Sequence, residues 1–162
     1  MNEFPTQLFI NGGFVKGHGT KRLAQINPAT EEIFAEVEAA SAKDVDAAVT
    51  GAQRAFELTW RDLPPGQRAD VLFKIAQAIR RDAEFIAALE SRNVGKPISD
   101  ARDEVALGAR VFEFYAGAVT KFGGQTIPVA RGGFDFTLRQ PMGVVAAIVP
   151  WNFPFPIACW KV

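Results

Sequence analysis

Few side chains in this sequence combine reactivity with a setting that could use it. The chain carries one cysteine, Cys159, and one histidine, His18. A lone cysteine offers no intrachain disulfide, and to act as a nucleophile it needs a neighbour that stabilises the thiolate. Cys159 lies between Ala158 and Trp160 in an apolar run, and Lys161 falls on a different helical face. The expectation is a buried, protonated, structural thiol. His18, flanked by Gly17 and Gly19, reads as a solvated loop residue, and without a second histidine it makes neither a metal pair nor a triad. The third candidate is Asn152, at the centre of Pro150-Trp151-Asn152-Phe153-Pro154. Its side-chain amide is a neutral donor that can meet a developing negative oxygen, or it can simply satisfy its own turn. Taken alone, the residue type favours the turn.

Charge narrows the function classes. Eighteen basic and eighteen acidic residues cancel, and no Lys/Arg block tracks a phosphate backbone. Nucleic-acid and anionic-membrane roles therefore lack electrostatic support. Hydrophobic residues at 48% against 22% charged are enough to form a core. No apolar run approaches the roughly 18 to 20 residues of a membrane span. Met1-Asn2-Glu3-Phe4-Pro5 has no basic and apolar leader pattern, and the expected location is the cytoplasm.

The elements that must position these residues follow from pattern. Leu8–Ile10 and Phe14–Val15 flank Asn11-Gly12-Gly13, a strong hairpin signal because Asn and Gly tolerate positive φ. Strands are expected over Leu23–Ile26 and around Ile33, Ala35 and Val37. Ser41 with Asp44 matches a capping box, and a helix with apolar Val45, Ala48, Val49, Ala52 and Phe56 follows. Further helices are expected after Pro64-Pro65, from Asp82 to Val94 with Gly95 as its terminator, and from Ser99 to Phe122. Charges on these helices (Arg80, Arg81, Glu84, Arg102, Asp103, Glu104) read as solvated faces. Thr126–Val129 and Phe134–Gln140 read as a hairpin. Val144–Val149 is apolar throughout, as a two-sidedly buried strand of a parallel sheet would be. From Ile157 to Val162 a helix opens without an end signal, so the sequence reads as cut within a βαβ unit.

A buried strand, the Pro150–Pro154 run and an apolar helix with Trp160-Lys161 together resemble the signature of the aldehyde dehydrogenase family. Asn27-Pro28-Ala29-Thr30-Glu31, Gly95-Lys96-Pro97, Tyr115-Ala116-Gly117, Gly124-Gln125-Thr126-Ile127-Pro128 and Gln140-Pro141-Met142-Gly143-Val144 resemble further family segments in order and spacing. The run from Phe112 to Val162 most resembles the betaine-aldehyde and amino-aldehyde branch.

The resemblance implies an α/β fold, the N-terminal part of a Rossmann-like cofactor domain. Residues 1–123 would be a partial NAD(P)-binding domain with a β-hairpin start and four helices. Residues 124–140 would be a protruding oligomerisation β-hairpin. Residues 141–162 would return to the NAD(P)-binding domain with its first parallel core strand. It implies an oxidoreductase that converts an aldehyde to a carboxylic acid with NAD or NADP, through a cysteine thiolate and a glutamate-activated water. Asn152 would donate to the oxyanion, Ile148, Pro150 and Trp151 would line the nicotinamide-ribose side, and Phe153 and Trp160 the substrate tunnel. An aromatic pair there could hold a cationic substrate by cation–π attraction. Asn93 stands where the family often carries an aspartate that helps hold a monovalent cation, so no metal is expected. The nucleophile, general base and phosphate-binding turn of the family lie downstream of residue 162, so this segment alone is expected to be inactive. The alternative is a non-catalytic interaction module that pairs with full-length subunits through the 124–140 hairpin.

Overall fold

Asn11 and Gly12 turn the chain with φ of 55° and 79°, and this positive-φ pair closes β1 (Leu8–Ile10) onto β2 (Gly13–Val15) in antiparallel register. The structure, a computed structural model, describes residues 5–162; the Met1–Phe4 start read above for a leader lies outside them. A second antiparallel pair joins β3 (Arg22–Ile26) to β4 (Ile33–Glu38). Asn27 makes the turn between them, its Oδ1 accepting from the Ala29 N–H at 2.9 Å.

The middle of the chain is helical. Ser41 caps α1 (Ala42–Ala55), and Ser41 and Asp44 form the reciprocal capping box. One π-helical turn, Phe56–Trp60, extends it. Proline at the first helical position starts α2 (Pro65–Arg81). Next come α3 (Ala83–Val94), ended by Gly95 at φ 80°, and α4 (Ile98–Ala118). Any Cβ on Gly95 would come within 2.5 Å of Pro28, so this glycine also seats the Asn27-Pro28 turn against the end of α3.

The core lies where α2, α3, α4 and the final helix α5 (Pro154–Lys161) meet. Ala76 and Ile79 come from α2, Ala87 from α3, Ala101, Val105, Ala109 and Phe112 from α4, and Cys159 from α5. Most of these side chains are small, which lets the helix backbones approach closely. Gly108 marks the tightest approach: a Cβ there would lie 2.7 Å from the Phe155 ring and 2.9 Å from Cys159 Sγ.

Several expectations are corrected. Val144–Val149 forms no strand among the described residues. Val145 and Ile148 are exposed. An extended segment needs a neighbouring strand to satisfy its backbone, and the described strands pair only within three separate two-stranded antiparallel sheets. The first parallel core strand is thus not formed. The late hairpin is reduced to β5 (Thr126–Ile127) and β6 (Asp135–Phe136), although the Thr137 N–H still reaches the Gln125 carbonyl at 2.9 Å. The fourth helix stops at Ala118 rather than Phe122. No helix among the described residues is long and apolar enough to cross a membrane.

Candidate functional site

The turn that carries Asn152 is set by the start of α5. Phe153 is the N-cap and offers no side-chain bond. Pro154 and Pro156 have no N–H to satisfy, so Phe155 is the residue of the first turn whose amide needs a partner. The Glu90 carboxylate of α3 faces that amide, which draws its pKa down against the larger effect of burial. Glu90 thereby acts as a cap supplied from another helix, with its negative charge at the positive end of the helix dipole.

Lys96, in the link between α3 and α4, reaches the same place. Its Nζ donates to Glu90 at 3.2 Å, to the Glu104 carboxylate of α4, and to the backbone carbonyl of Asn152 at 3.1 Å. The ammonium also sits 4.9 Å from the centre of the Phe153 ring, in reach of cation–π attraction. The side chains of Lys96, Glu90 and Glu104 are only about a tenth exposed. Burial pushes the Glu90 carboxyl above its ordinary value, with Lys96 pulling against it. Two carboxylates and one ammonium in a half-dry site are held together by these charge-assisted bonds.

Asn152 itself is exposed, and its side-chain amide has no hydrogen bond among the described residues. The alternative in which the side chain merely ties down its own turn is therefore not what the geometry displays; the Asn152 carbonyl and the Glu90 cap hold the turn instead. Pro150 and Trp151 precede it on the open surface, and Ile148 is 82% and Trp151 79% exposed. Lys161 Nζ fixes the Ile148 carbonyl at 2.6 Å. Trp151 and Pro154 meet Ile26, Pro28, Asn93 and Val94 around a shallow cleft of about 270 Å³.

Phe153 does not line the groove that Trp160 lines. Phe153 lies under Lys96, whereas Trp160 lines an open groove of about 740 Å³ with Phe112, Tyr115 and Phe122. Cys159 is buried, and burial pushes its thiol up to about 11, so it is protonated at neutral pH. Among the described residues no group of three His, Cys, Asp or Glu side chains could hold a metal ion.

Two readings of charge need correcting. Glu104 is not on a solvated face but is buried against Lys96. The signal was present: Glu104 lies on the stripe of Ala101, Val105 and Gly108, all of them buried, and Glu90 likewise follows Ala87 on α3. His18 is half exposed but not free, its Nδ1 lying 2.6 Å from the buried Asp44 carboxylate.

Comparison with known proteins places this geometry in context. The family profile described as "Aldehyde dehydrogenase family" matches residues 14–162. The chain is 41% identical over 160 residues to an aldehyde dehydrogenase of Aspergillus niger, covering 99% of this chain and 32% of that protein. It is 42% identical over 159 residues to the NAD(P)+ aldehyde dehydrogenase 2 of Saccharomyces cerevisiae, covering 97% and 31%. A solved NAD+ complex of an aldehyde dehydrogenase from Bacillus cereus superposes with a TM-score of 0.91 at 40% identity, covering 96% of this chain and 32% of that one. The chain thus spans about a third of the length of the curated relatives it matches.

Proposed function

The chain belongs to the aldehyde dehydrogenase family, and from that premise we propose that it forms the nicotinamide-end part of an NAD(P)-dependent site that oxidises an aldehyde to a carboxylic acid. The observation that carries this reading is the unengaged amide of Asn152 on a turn whose backbone is held from behind. A preorganised donor need not reorganise when charge develops on the aldehyde oxygen, which is where such groups contribute most to rate.

Ile148, Pro150 and Trp151 supply an exposed apolar strip beside that donor, a surface suited to one face of a nicotinamide-ribose. These three residues carry no cation for a pyrophosphate, so on this reading most cofactor affinity comes from other residues. Bound NAD or NADP would accept the hydride from the substrate carbon. Phe153 and Trp160 are assigned to the aldehyde side, with Trp160 the more available because Phe153 already faces Lys96. Residues 1–123 and 141–162 would then belong to one Rossmann-like cofactor domain. The 124–140 hairpin would be its oligomerisation arm, a role supported by the exposed Phe134, Phe136 and Leu138. The same exposed residues support the second reading, a module that pairs with longer subunits.

Cys159 cannot stand in as the nucleophile, because a buried thiol with a raised pKa is not a thiolate at neutral pH. The purified 162-residue chain is therefore expected to show no aldehyde-dependent reduction of NAD+ or NADP+. Mixed with the separately expressed remaining two thirds of a relative, it is expected to restore turnover, and Asn152→Ala should then lower kcat by roughly 10² or more. Turnover by the chain alone that disappears in Cys159→Ser, or a reconstituted enzyme indifferent to Asn152→Ala, would overturn the reading.

A further inference from the structure

We propose that Lys96 is a positioning residue for Asn152, clamping its backbone carbonyl from behind so that the side-chain amide is held facing outward. The inference rests on the reading of Asn152 as the oxyanion donor, but its geometry is independent of any activity. Lys96 lies 56 positions before Asn152, in a link that the Gly95 terminator and the Pro97 start of α4 leave little freedom. Its ammonium makes three directed contacts, and two of them, to Glu90 and Glu104, orient it toward the third.

The clamp has a second jaw. Glu90, which holds Lys96, also faces the Phe155 amide. The carbonyl of residue 152 and the amide of residue 155 are thus fixed by one buried cluster, one on each side of the N-cap Phe153. Pro154 and Pro156 add rigidity, since each fixes its own φ. A turn of this kind, restrained at both ends and in its ring dihedrals, leaves Asn152 with side-chain rotamers as its main freedom. A donor with few conformers to lose is the arrangement that electrostatic preorganisation requires.

The desolvation of a buried cluster of two acids and one base offsets much of its attraction, yet removing its base alone leaves two like charges in a poorly hydrated place. Lys96→Met alone could for that reason unfold the chain. The decisive protein is the triple variant Glu90→Gln/Lys96→Met/Glu104→Gln, which removes all three charges at nearly constant volume. The measurement is NMR of the full 162-residue chain, following the Asn152 carbonyl 13C shift, the Asn152 Nδ2H2 pair and amide exchange at Phe155. Amides of Val105 and Ala109 serve as the core reference.

The expected result is a shifted Asn152 carbonyl, an altered Asn152 Nδ2H2 pair and exchange at the Phe155 amide at least about tenfold faster relative to the core reference. Two outcomes overturn the proposal. In one, the Asn152 resonances and exchange rates stay at their original values in the triple variant. In the other, core and turn loosen by the same factor, which is what a merely structural cluster would do. Because these readouts need no turnover, they can fail while the oxyanion role of Asn152 stands, and the reverse also holds.

Discussion

The helices from Ala42 to Ala118 and the stretch from residue 119 to 153 are similar in apolar content to the eye but opposite in outcome. In the first, Val105, Ala101 and Ala109 are fully buried. In the second, Phe134 is 93% exposed and Met142 91%. Backbone hydrogen bonding explains the contrast better than hydrophobicity does. A helix satisfies its N–H and C=O groups within itself and needs only one apolar face covered, which α2, α3, α4 and α5 do for one another. An extended segment such as Val144–Val149 has to borrow both its hydrogen bonds and its cover from other strands. Helices and local hairpins tolerate isolation, and a strand that needs distant partners does not.

Hydrogen exchange gives that contrast its largest expected readout. Amides of Val105 and Ala109 should exchange on the order of 10³-fold more slowly than those of Val145 and Ile148. Comparable protection at Val145, vanishing on dilution, would show instead that the segment pairs with another copy of the chain. A finer test uses two glycines of the same helix. Gly117 has nothing near its Cβ position, whereas Gly108 faces Phe155 and Cys159 at 2.7 and 2.9 Å. Alanine at either site gains helix propensity, so Gly117→Ala should stabilise by about 0.5–1 kcal/mol. Gly108→Ala should fall below it by about 1–3 kcal/mol from overpacking, read as urea midpoints. Equal midpoints would mean α5 does not press on α4.

The smallest effect concerns acid at the N-terminal end. The His18 side chain first, then Ser41, hold the Asp44 carboxyl well below its ordinary 3.8. A carboxyl depressed on folding contributes its stabilisation in full above the unfolded value, and the contribution drains away as pH falls below about 4. The His18 and Ser41 amides should therefore loosen below that pH while remaining unchanged from pH 5 to 8. In Asp44→Asn the transition should be absent; a persistent transition would assign it to other carboxylates.

Much of this architecture is legible in the sequence. The Asn11-Gly12 turn, the Ser41/Asp44 box and the Gly95 terminator are local motifs whose energetics involve neighbours in sequence, and all three formed as read. The clamp behind Asn152 was not legible in the same way. Glu90, Lys96 and Glu104 come from two helices and a link, and a charged residue on a helix reads as solvated unless its place on the apolar stripe is noticed. Val144–Val149 failed for the complementary reason: its composition states what environment it wants, not whether that environment is at hand. Candidate roles for Ile148, Pro150 and Trp151 came from the family signature, since their exposed apolar side chains alone could equally mark an unfilled core.

The contact between Gly95 and Pro28 has an evolutionary consequence. Position 95 is doubly restricted, by a left-handed backbone and by a proline ring 2.5 Å from where a side chain would begin. Asparagine tolerates the first restriction but not the second. A lineage could therefore admit asparagine at 95 only after residue 28 had lost its ring, and the reverse order would pass through a misfolded ancestor. Homologous chains are expected to show these two positions changing in that sequence or not at all.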